Sequence, residues 1–335
     1  MEKDKNIELT AAELSNLWDA YQSDTLAICI IRYFLNHVDD DEIHPLLQRT
    51  LDFTEAHIPK IIAFFEGEGN PIPQGFTEDD VNETAPRLFT DNYILRYLHQ
   101  MGQFGLSAHS FSVSYASRQD IHAYFPECLR EHLELHKMIN LVMLSKGLYI
   151  RPPYIPNQEL VTFVESDNLL QGWFGKKRPL LAVEITNLFD DIQRNDLGVS
   201  TLIGFSQVAQ SKEVTDYLVR GKQIASKHVE VYSSILRKDN LPIPMIPDTG
   251  VTKSTVPPFS DKLMLALTAA LNGIGIGYYG LAMGMSMRTD ISAQYARLTL
   301  EVGKFALAGA KLMIKNGWME QPPMNADRDG LAKKG

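Results

Sequence analysis

The stretch SNLWDAYQ at residues 15–22 returns later in the chain as TNLFDDIQ at residues 186–193. Around these stretches, residues 13–73 align without a gap with residues 184–244 and share 14 identities in 61 positions. Ordered matches over such a length are typical of a repeated structural unit. The sequence therefore predicts an internal duplication, in which the two halves have the same fold.

The repeat continues to the end of each half after the offset changes from 171 to 170 residues. LFTDN at 88–92 aligns with PFSDK at 258–262, and KGLYIRPP at 146–153 aligns with NGWMEQPP at 316–323. The polar residues that the alignment retains are Arg49 and Arg220, His57 and His228, Arg118 and Arg288, and Asp120 and Asp290. We interpret them as structural: the histidines as core residues satisfied by hydrogen bonds, Arg118 and Arg288 with their aspartates as ties between a helix turn and the bundle, and Arg49 and Arg220 as partners of ion pairs within their own halves.

Each half is predicted to form four helices. Apolar residues recur at helical spacing in four segments, and none of these shows the alternation of a β-strand. The first segment begins at Thr10-x-x-Glu13, a capping box, and the third segments begin at Thr90 and Ser260. Each fourth segment ends at a glycine that is followed by a Pro-Pro pair.

The connection between the second and third helices of each half is long, whereas the other connections are short. In the first half it is NPIPQGFTEDDVNETAP at residues 70–86, long enough to run back along a bundle. One long crossover in a four-helix unit is the ferritin-like arrangement, so the sequence predicts an all-α protein of two tandem ferritin-like four-helix bundles. The expected divisions are bundle 1 at 8–153, a packed connecting segment at 154–179 with Phe163, Trp173 and Phe174, bundle 2 at 180–325, and a flexible tail at 326–335.

The composition is that of an ordinary globular protein, with 44% hydrophobic and 22% charged residues. The formal net charge is -9 and no long run of Lys or Arg occurs, which disfavours nucleic-acid binding. Cys29 and Cys128 are the only cysteines, and we interpret both as buried thiols. The N-terminal sequence MEKDKNIELT lacks the features of a secretory signal, so a cytoplasmic protein is expected.

The stretch GIGIGYYG at residues 273–280 has the Gly-x-Gly-x-x-Gly spacing of a nucleotide-binding turn. The aligned residues of the first half stay small but lose this spacing, and the glycines fall inside a predicted helix, which argues against nucleotide binding. A membrane span is disfavoured because the aligned helix carries Arg96, His99 and His109. The remaining interpretation is a seam that lets a helix of the same bundle, of the other half or of another subunit approach closely. The seam residues are Ala266, Ala270, Gly273, Gly277, Gly280 and Gly284.

Histidines and acids of the first half leave a metal site open as an alternative. Ferritin-like bundles often hold two metals through Glu-x-x-His pairs, and the sequence lacks this pattern. His132 and His136 have the i, i+4 spacing that can share one ion, with His57 and Glu131 as further candidates. The second half has no histidine at the positions equivalent to His132 and His136, so such a site would exist in bundle 1 only. No other cofactor is expected.

The stretch LLQGWFGKKRPLLAVEITNLF at residues 169–189 resembles a family known as domain of unknown function 3231. The helix start TAAELSNLWDAY, the repeated Pro-Ile-Pro and the Gly-x-x-x-x-Pro-Pro endings share this resemblance, which covers about residues 8–325. It implies paired ferritin-like bundles and a source among endospore-forming bacteria. It implies no catalytic residue.

No complete catalytic set occurs in the sequence, so a non-enzymatic structural or interaction protein is the favoured hypothesis. A protein partner or a homo-oligomer is expected, and the resemblance adds an association with spores or stress. The alternative is a metal-binding or oxidoreductase-like bundle with its site in the first half. A lipid or other apolar ligand in the bundle interior is a third hypothesis, which rests on the content of Met and Phe.

Overall fold

A computed structural model describes residues 7–173, 177–245 and 249–333, and within these ranges the chain is helical. The helices are α1 (Ala11–Leu35), α2 (His44–Gly67), α3 (Asp91–Tyr115), α4 (Gln119–Ser145), α5 (Ala182–Val208), α6 (Lys212–Lys238), α7 (Asp261–Met285), α8 (Thr289–Lys315) and α9 (Arg328–Ala332). The first half contains α1–α4 and the second half contains α5–α8. The predicted all-α fold of two tandem halves is confirmed.

Polar side chains cap the helices where the sequence places them. The Glu13 amide donates to the Thr10 hydroxyl, and the Thr10 amide donates to the Glu13 carboxylate, which completes the capping box of α1. Thr90 and Ser260 accept hydrogen bonds from backbone amides in the first turns of α3 and α7. Local side-chain chemistry therefore sets these helix starts.

Each half has one long crossover and otherwise short turns. Residues 116–118 join α3 to α4, and residues 286–288 join α7 to α8. The long crossovers are residues 68–90 and residues 239–260, with 246–248 outside the described part. One long crossover within four helices is the connectivity that the sequence predicts.

The two long crossovers pair with each other. Val81 forms an antiparallel β-bridge with Phe259, and Phe89 forms another with Val251. At the alignment offset of 170, Val251 is the equivalent of Val81 and Phe259 is the equivalent of Phe89. Exchanging the halves therefore exchanges the two bridges, so a local two-fold relation connects the halves, as in an isologous dimer.

Backbone hydrogen bonds of the crossovers follow the same symmetry. The Asn82 amide donates to the Pro258 carbonyl at 2.7 Å, and the equivalent Thr252 amide donates to the Leu88 carbonyl at 2.8 Å. Backbone amides and carbonyls in an irregular segment need partners when they leave water. Each crossover supplies those partners to the other, and the pairing joins the halves into one body.

Three hydrophobic clusters form the interior. The largest contains residues of both halves, including Phe34, Tyr93, Phe205 and Phe259, so the halves share a central core. A second cluster lies in the second half and a third in the first half. The shared core lies where the crossovers meet, and each half keeps an outer core of its own.

A buried carboxylate in the first half caps the start of α4. Glu13 is 1% exposed and accepts hydrogen bonds from the amides of Ser117 and Arg118, both at 2.8 Å. The Arg118 guanidinium pairs in turn with Asp120 at 2.8 Å and with Glu68. Through these contacts Arg118 ties the turn between α3 and α4 to the rest of its half.

The second half repeats this network with substituted partners. Glu184 is buried and accepts hydrogen bonds from the amides of Met287 at 3.2 Å and Arg288 at 3.1 Å. Arg288 pairs with Asp290 at 2.9 Å and lies 3.7 Å from Asp239. The retained arginine and aspartate at this turn therefore have the same structural role in both halves.

The prediction of a packed connecting segment is wrong for Phe163 and Trp173, which are both exposed. Phe163 is 88% exposed, and Trp173 is 59% exposed. The stretch before residue 167 forms no helix, so its apolar side chains are not gathered on one face. Nearer the second half the segment makes contact, since the Thr289 amide donates to the Leu170 carbonyl at 3.1 Å. Phe174 lies outside the described residues.

The tail at 326–335, expected to be flexible, contains the short helix α9. Asp327 caps this helix by accepting a hydrogen bond from the Gly330 amide at 2.9 Å. None of the residues of α9 is buried, so a local cap rather than packing accounts for the helix. Residues 334–335 lie outside the described part of the chain.

Replacing Glu13 by Gln should lower the free energy of unfolding by about 2 kcal/mol at pH 7, because the charge-assisted hydrogen bonds to buried amides are lost. Burial raises the pKa of Glu13, but the amide donors of Arg118, Thr10 and Ser117 outweigh it and lower the pKa to about 2. A lowered carboxyl pKa contributes stability that is lost as the pH falls through the folded value. In urea unfolding, the difference between wild type and variant should therefore shrink between pH 4.5 and about pH 2.

Glu66→Gln provides the matched control, since Glu66 is exposed on α2. This variant should change the free energy of unfolding by less than about 0.5 kcal/mol. Equal losses in the two variants, or a Glu13 effect that is the same at every pH, would contradict the capping role of the carboxylate.

Candidate functional site: two histidine centres

His57 lies in the interior of the first half between two carboxylates. Its side chain is 1% exposed, Nδ1 lies 3.1 Å from Asp24 Oδ2, and Nε2 lies 2.7 Å from Glu131 Oε2. The three residues come from α2, α1 and α4 respectively. This geometry agrees with the prediction of a core histidine satisfied by hydrogen bonds. The His57 centre links three helices.

The contacts of His57 require a charged ring. A carboxylate only accepts hydrogen bonds, so both ring nitrogens must donate. Burial lowers the pKa of His57, but the interactions with Asp24 and Cys128 outweigh it and raise the pKa to about 11. At neutral pH the His57 ring is therefore an imidazolium.

Cys128 is a further member of this centre. Its thiol is 0% exposed, and it lies on α4 three residues before Glu131, on the same face of the helix. A ring nitrogen of His57, the Cys128 sulfur and a Glu131 oxygen all lie within 4.8 Å of one another. The sequence interpretation of Cys128 as a buried thiol misses this role, although the Cys-x-x-Glu spacing is a signal that could have found it.

The other predicted metal candidates, His132 and His136, face different partners. His132 Nδ1 donates to the Cys128 carbonyl at 3.0 Å, and its ring lies against α3 at Gly105. A Cβ at position 105 would overlap this ring, so the close approach requires the glycine. The His136 ring stacks on His99 with centroids 5.4 Å apart. Burial lowers the pKa of both rings, and neither joins the group around His57.

His228 occupies the equivalent place in the second half, and its ring is 0% exposed. Nε2 lies 3.1 Å from Glu301 Oε2, and Nδ1 lies 3.0 Å from the Tyr279 hydroxyl. The Asn195 side-chain amide donates to the same hydroxyl at 2.7 Å. Burial lowers the pKa of His228 in spite of the neighbouring Glu301. A neutral ring protonated on Nε2, with Tyr279 donating to Nδ1, satisfies these contacts.

The two centres keep the histidine–glutamate pair and differ in what surrounds it. Asn195 stands at the position of Asp24, and Leu298 stands at the position of Cys128. An amide in place of a carboxylate removes one of the anions that favour a protonated ring. The duplication therefore yields a protonated histidine ring in one half and a neutral histidine ring at the equivalent position of the other.

A buried carboxyl group, that of Asp191, lies near the His228 centre. Asp191 is 1% exposed, and Arg194 Nη1 lies 3.4 Å from its Oδ1. The rings of Tyr232, Tyr279 and Tyr295 surround this region with centroids 5.2 to 5.8 Å apart. Burial raises the pKa of Asp191 to about 7, and the charge of Arg194 only partly opposes this effect.

The remaining retained pair differs between the halves. Arg49 forms an ion pair with Glu134 at 3.1 Å between α2 and α4. Arg220 is exposed, and the described part of the chain shows no ion pair for it. Only Arg49 therefore has the ion pair within its own half that the sequence interpretation expects.

The small-residue seam of α7 lies on the outside of the chain. The exposed members are Ala270, Gly273, Gly277, Gly280 and Gly284, whereas Ala266 is partly buried. Among the described residues, no atom lies within 4 Å of the place that a Cβ would take on any of these glycines, apart from the backbone and neighbours of the helix itself. The expectation that the seam packs within the bundle or against the other half is therefore wrong. The helix is apolar on its other faces as well, and it packs through those faces instead.

Among the described helices, α7 is also the one that is long and apolar enough to cross a membrane, with a mean hydropathy of 1.3. A single helix of this kind is a weak indication, because core helices of soluble proteins have the same length and composition. Its equivalent in the first half, α3, carries Arg96, which pairs with Asp196 of α5 at 2.7 Å. An ion pair thus interrupts the apolar surface of α3, whereas 33% of the apolar window of α7 is buried inside the chain.

These observations define a class of protein: an all-α chain of two tandem four-helix units that are related by a local two-fold axis. Residues 2–161 and 169–331 each match one family, described as protein of unknown function DUF3231. The chain belongs to this family, which confirms the resemblance that its sequence shows.

Among solved structures, the chain is similar to a "putative spore coat protein" from Bacillus halodurans C-125. The two chains share 17% sequence identity with a TM-score of 0.42, and the match covers 45% of this chain and 98% of the other. The similarity thus extends over less than half of the duplicated chain and carries no argument about function. No curated protein matches the chain.

Replacing Asp191 by Asn should stabilise the protein above pH 7. A raised carboxyl pKa makes folding less favourable as the pH rises from the ordinary value of 3.8 to about 7, and the penalty is complete above that pH. The variant avoids this penalty. Its free energy of unfolding relative to wild type should rise by about 4 kcal/mol between pH 4 and pH 8 in chemical denaturation.

The control for this measurement is Asp216→Asn, since Asp216 is 65% exposed and pairs with Lys212 at the surface. Its effect should vary little over the same pH range. If the difference in free energy of unfolding between wild type and Asp191→Asn does not depend on pH, burial does not destabilise the ionised form of Asp191.

Proposed function

We propose that the chain is a non-enzymatic structural protein that associates with a second copy of itself. The observation that carries the proposal is the outer face of α7, which is apolar, rich in glycine and uncovered by the described part of the chain. The burial of the two histidine rings supports a role other than catalysis, since His57 and His228 are 1% and 0% exposed. A substrate needs a concave site that it can enter.

The open face of α7 suits a partner helix that approaches closely. Its glycines lack side chains, and Leu281 and Met285 beside them are 53% and 45% exposed. Small residues at such spacing let two helix backbones come near each other. Contacts between identical faces about a two-fold axis are the commonest way in which identical chains associate. A second copy is therefore the partner that we assign to this face.

Spore association is part of the same proposal and rests on the sequence resemblance to a family typical of endospore-forming bacteria. A structural protein of this kind would be present in purified spores. Immunoblots of spores and of vegetative cells test this part, and a chain found only in vegetative cells would refute it.

Gly277→Leu tests the association directly. In the described part of the chain no neighbouring atom lies within 4 Å of a Cβ placed at position 277, and leucine favours a helix over glycine by roughly 1 kcal/mol. The variant should therefore fold with an unchanged or higher melting temperature. Its bulk should nevertheless prevent the close approach of a second α7. We expect light scattering after size exclusion to show a dimer for wild type and a monomer for the variant at the same concentration.

Gly198→Leu is the control, because Gly198 also lies in a helix, α5, and has open space where a side chain would begin. It should leave the association unchanged. A wild-type chain that is monomeric up to millimolar concentration, or a Gly277→Leu variant that dimerises as wild type does, would refute self-association through α7. Retention of a different protein by wild type, and not by Gly277→Leu, would assign the face to another partner.

A further inference from the structure

The group of His57, Cys128 and Glu131 brings three different metal-binding donors together. A nitrogen, a sulfur and a carboxylate oxygen lie within 4.8 Å of one another, with His57 supplied by α2 and the other two by one turn of α4. Imidazole nitrogen, cysteine sulfur and carboxylate oxygen are the donors that Zn²⁺ takes from proteins, at about 2.0 to 2.3 Å. Convergence of these donors from two helices is a built arrangement rather than a surface cluster.

The surroundings of the group orient these donors. Asp24 Oδ2 lies 3.1 Å from His57 Nδ1, which leaves Nε2 directed at Glu131. A carboxylate on the far nitrogen is the usual partner of a metal-binding histidine, because it fixes the ring and makes the near nitrogen a stronger donor.

We propose that the first half binds one divalent ion of the zinc class through His57 Nε2, Cys128 Sγ and the Glu131 carboxylate. The ion takes the place of the proton on Nε2, and the thiol releases its own proton on binding. The charges of the thiolate and of Glu131 then balance the two charges of the ion, while Asp24 stays hydrogen-bonded to Nδ1. Binding needs the His57 nitrogen and the Glu131 oxygen to move from 2.7 Å to about 3.3 Å apart, a small side-chain adjustment.

The ion can reach this site from the side of Glu131. The Glu131 side chain is 16% exposed, whereas those of His57 and Cys128 are closed off from solvent. Tetrahedral coordination leaves one further position, which a water entering past Glu131 can fill. A site with this access and this burial links α2 to α4 and suits a structural ion. It is independent of the self-association through α7.

The second half supplies an internal comparison. It keeps the His228–Glu301 pair at 3.1 Å but has Leu298 at the position of Cys128 and Asn195 at the position of Asp24. Without the sulfur donor and the orienting carboxylate, this half should not bind the ion. The stoichiometry expected for the full chain is therefore one ion rather than two.

Titration of the full chain with Co²⁺, after removal of any affinity tag, tests the site. We expect one equivalent of Co²⁺ to give a thiolate-to-cobalt charge-transfer band in the near ultraviolet, and Zn²⁺ to displace it and raise the melting temperature. Cys128→Ser should abolish the band, and Asp24→Asn should weaken binding by roughly 10-fold or more. Cys29→Ser is the matched control, because Cys29 is also buried in the first half and lies outside the donor group.

The variants distinguish binding at the proposed site from binding at the other thiol, Cys29, or at the other buried histidine, His228. Retention of the band in Cys128→Ser, its loss in Cys29→Ser, or the absence of any band in wild type overturns the proposal. His228→Asn should leave the titration unchanged, and a loss of binding in that variant also overturns it. If circular dichroism shows that Cys128→Ser does not fold, Glu131→Gln takes its place. The glutamine variant keeps the thiol and should weaken Co²⁺ binding at least 10-fold, so unchanged binding rejects the assigned site.

Discussion

Hydrogen bonding between the two long crossovers fixes how the halves of this protein sit against each other. Each crossover is irregular, so its amides and carbonyls have no helix of their own in which to pair. Because of the local two-fold relation, the same backbone pairing occurs twice: Val81 bridges to Phe259, and Phe89 bridges to Val251. The central core then includes side chains from both halves. The duplicated chain is therefore comparable to an isologous dimer whose subunits are joined by a peptide segment.

This arrangement leaves the outer core of each half free to diverge. The histidine centres lie beside those outer cores, where Tyr124 and Cys128 belong to one cluster and Tyr279 and Leu298 belong to the other. The retained histidine–glutamate pair holds α2 to α4 and α6 to α8 in both halves. Whether the ring is charged depends on the group at its other nitrogen, a carboxylate in one half and a tyrosine hydroxyl in the other.

Much of the fold could be predicted from the sequence because its determinants are local or repeated. The caps at Thr10 and Thr90 act within one helical turn, and the duplication is visible as an alignment. The pairing of the crossovers could not be predicted, since bridges such as Val81 with Phe259 join distant residues without any periodic pattern. Cys128 escaped prediction as a partner of His57 because they lie on different helices, and the rotation of each helix is set by packing. The outward direction of the α7 seam was hidden for a related reason: a helix that is apolar on every face has no polar side to mark the solvent.

The equivalent glycines at 105 and 275 have different surroundings in the two halves. In the first half the missing side chain makes room for the His132 ring, so the small residue serves the interior. In the second half the equivalent of His132 is Val302, and the space beside Gly275 contains no neighbouring atom. The same position thus serves interior packing in the first half and stays uncovered in the second half. Because glycine inside a helix is unfavourable by roughly 1 kcal/mol relative to alanine, an open stripe of glycines has no compensation within its own chain. Because this cost is not offset within the chain, a contact with another molecule is the simplest physical reason for the stripe of glycines.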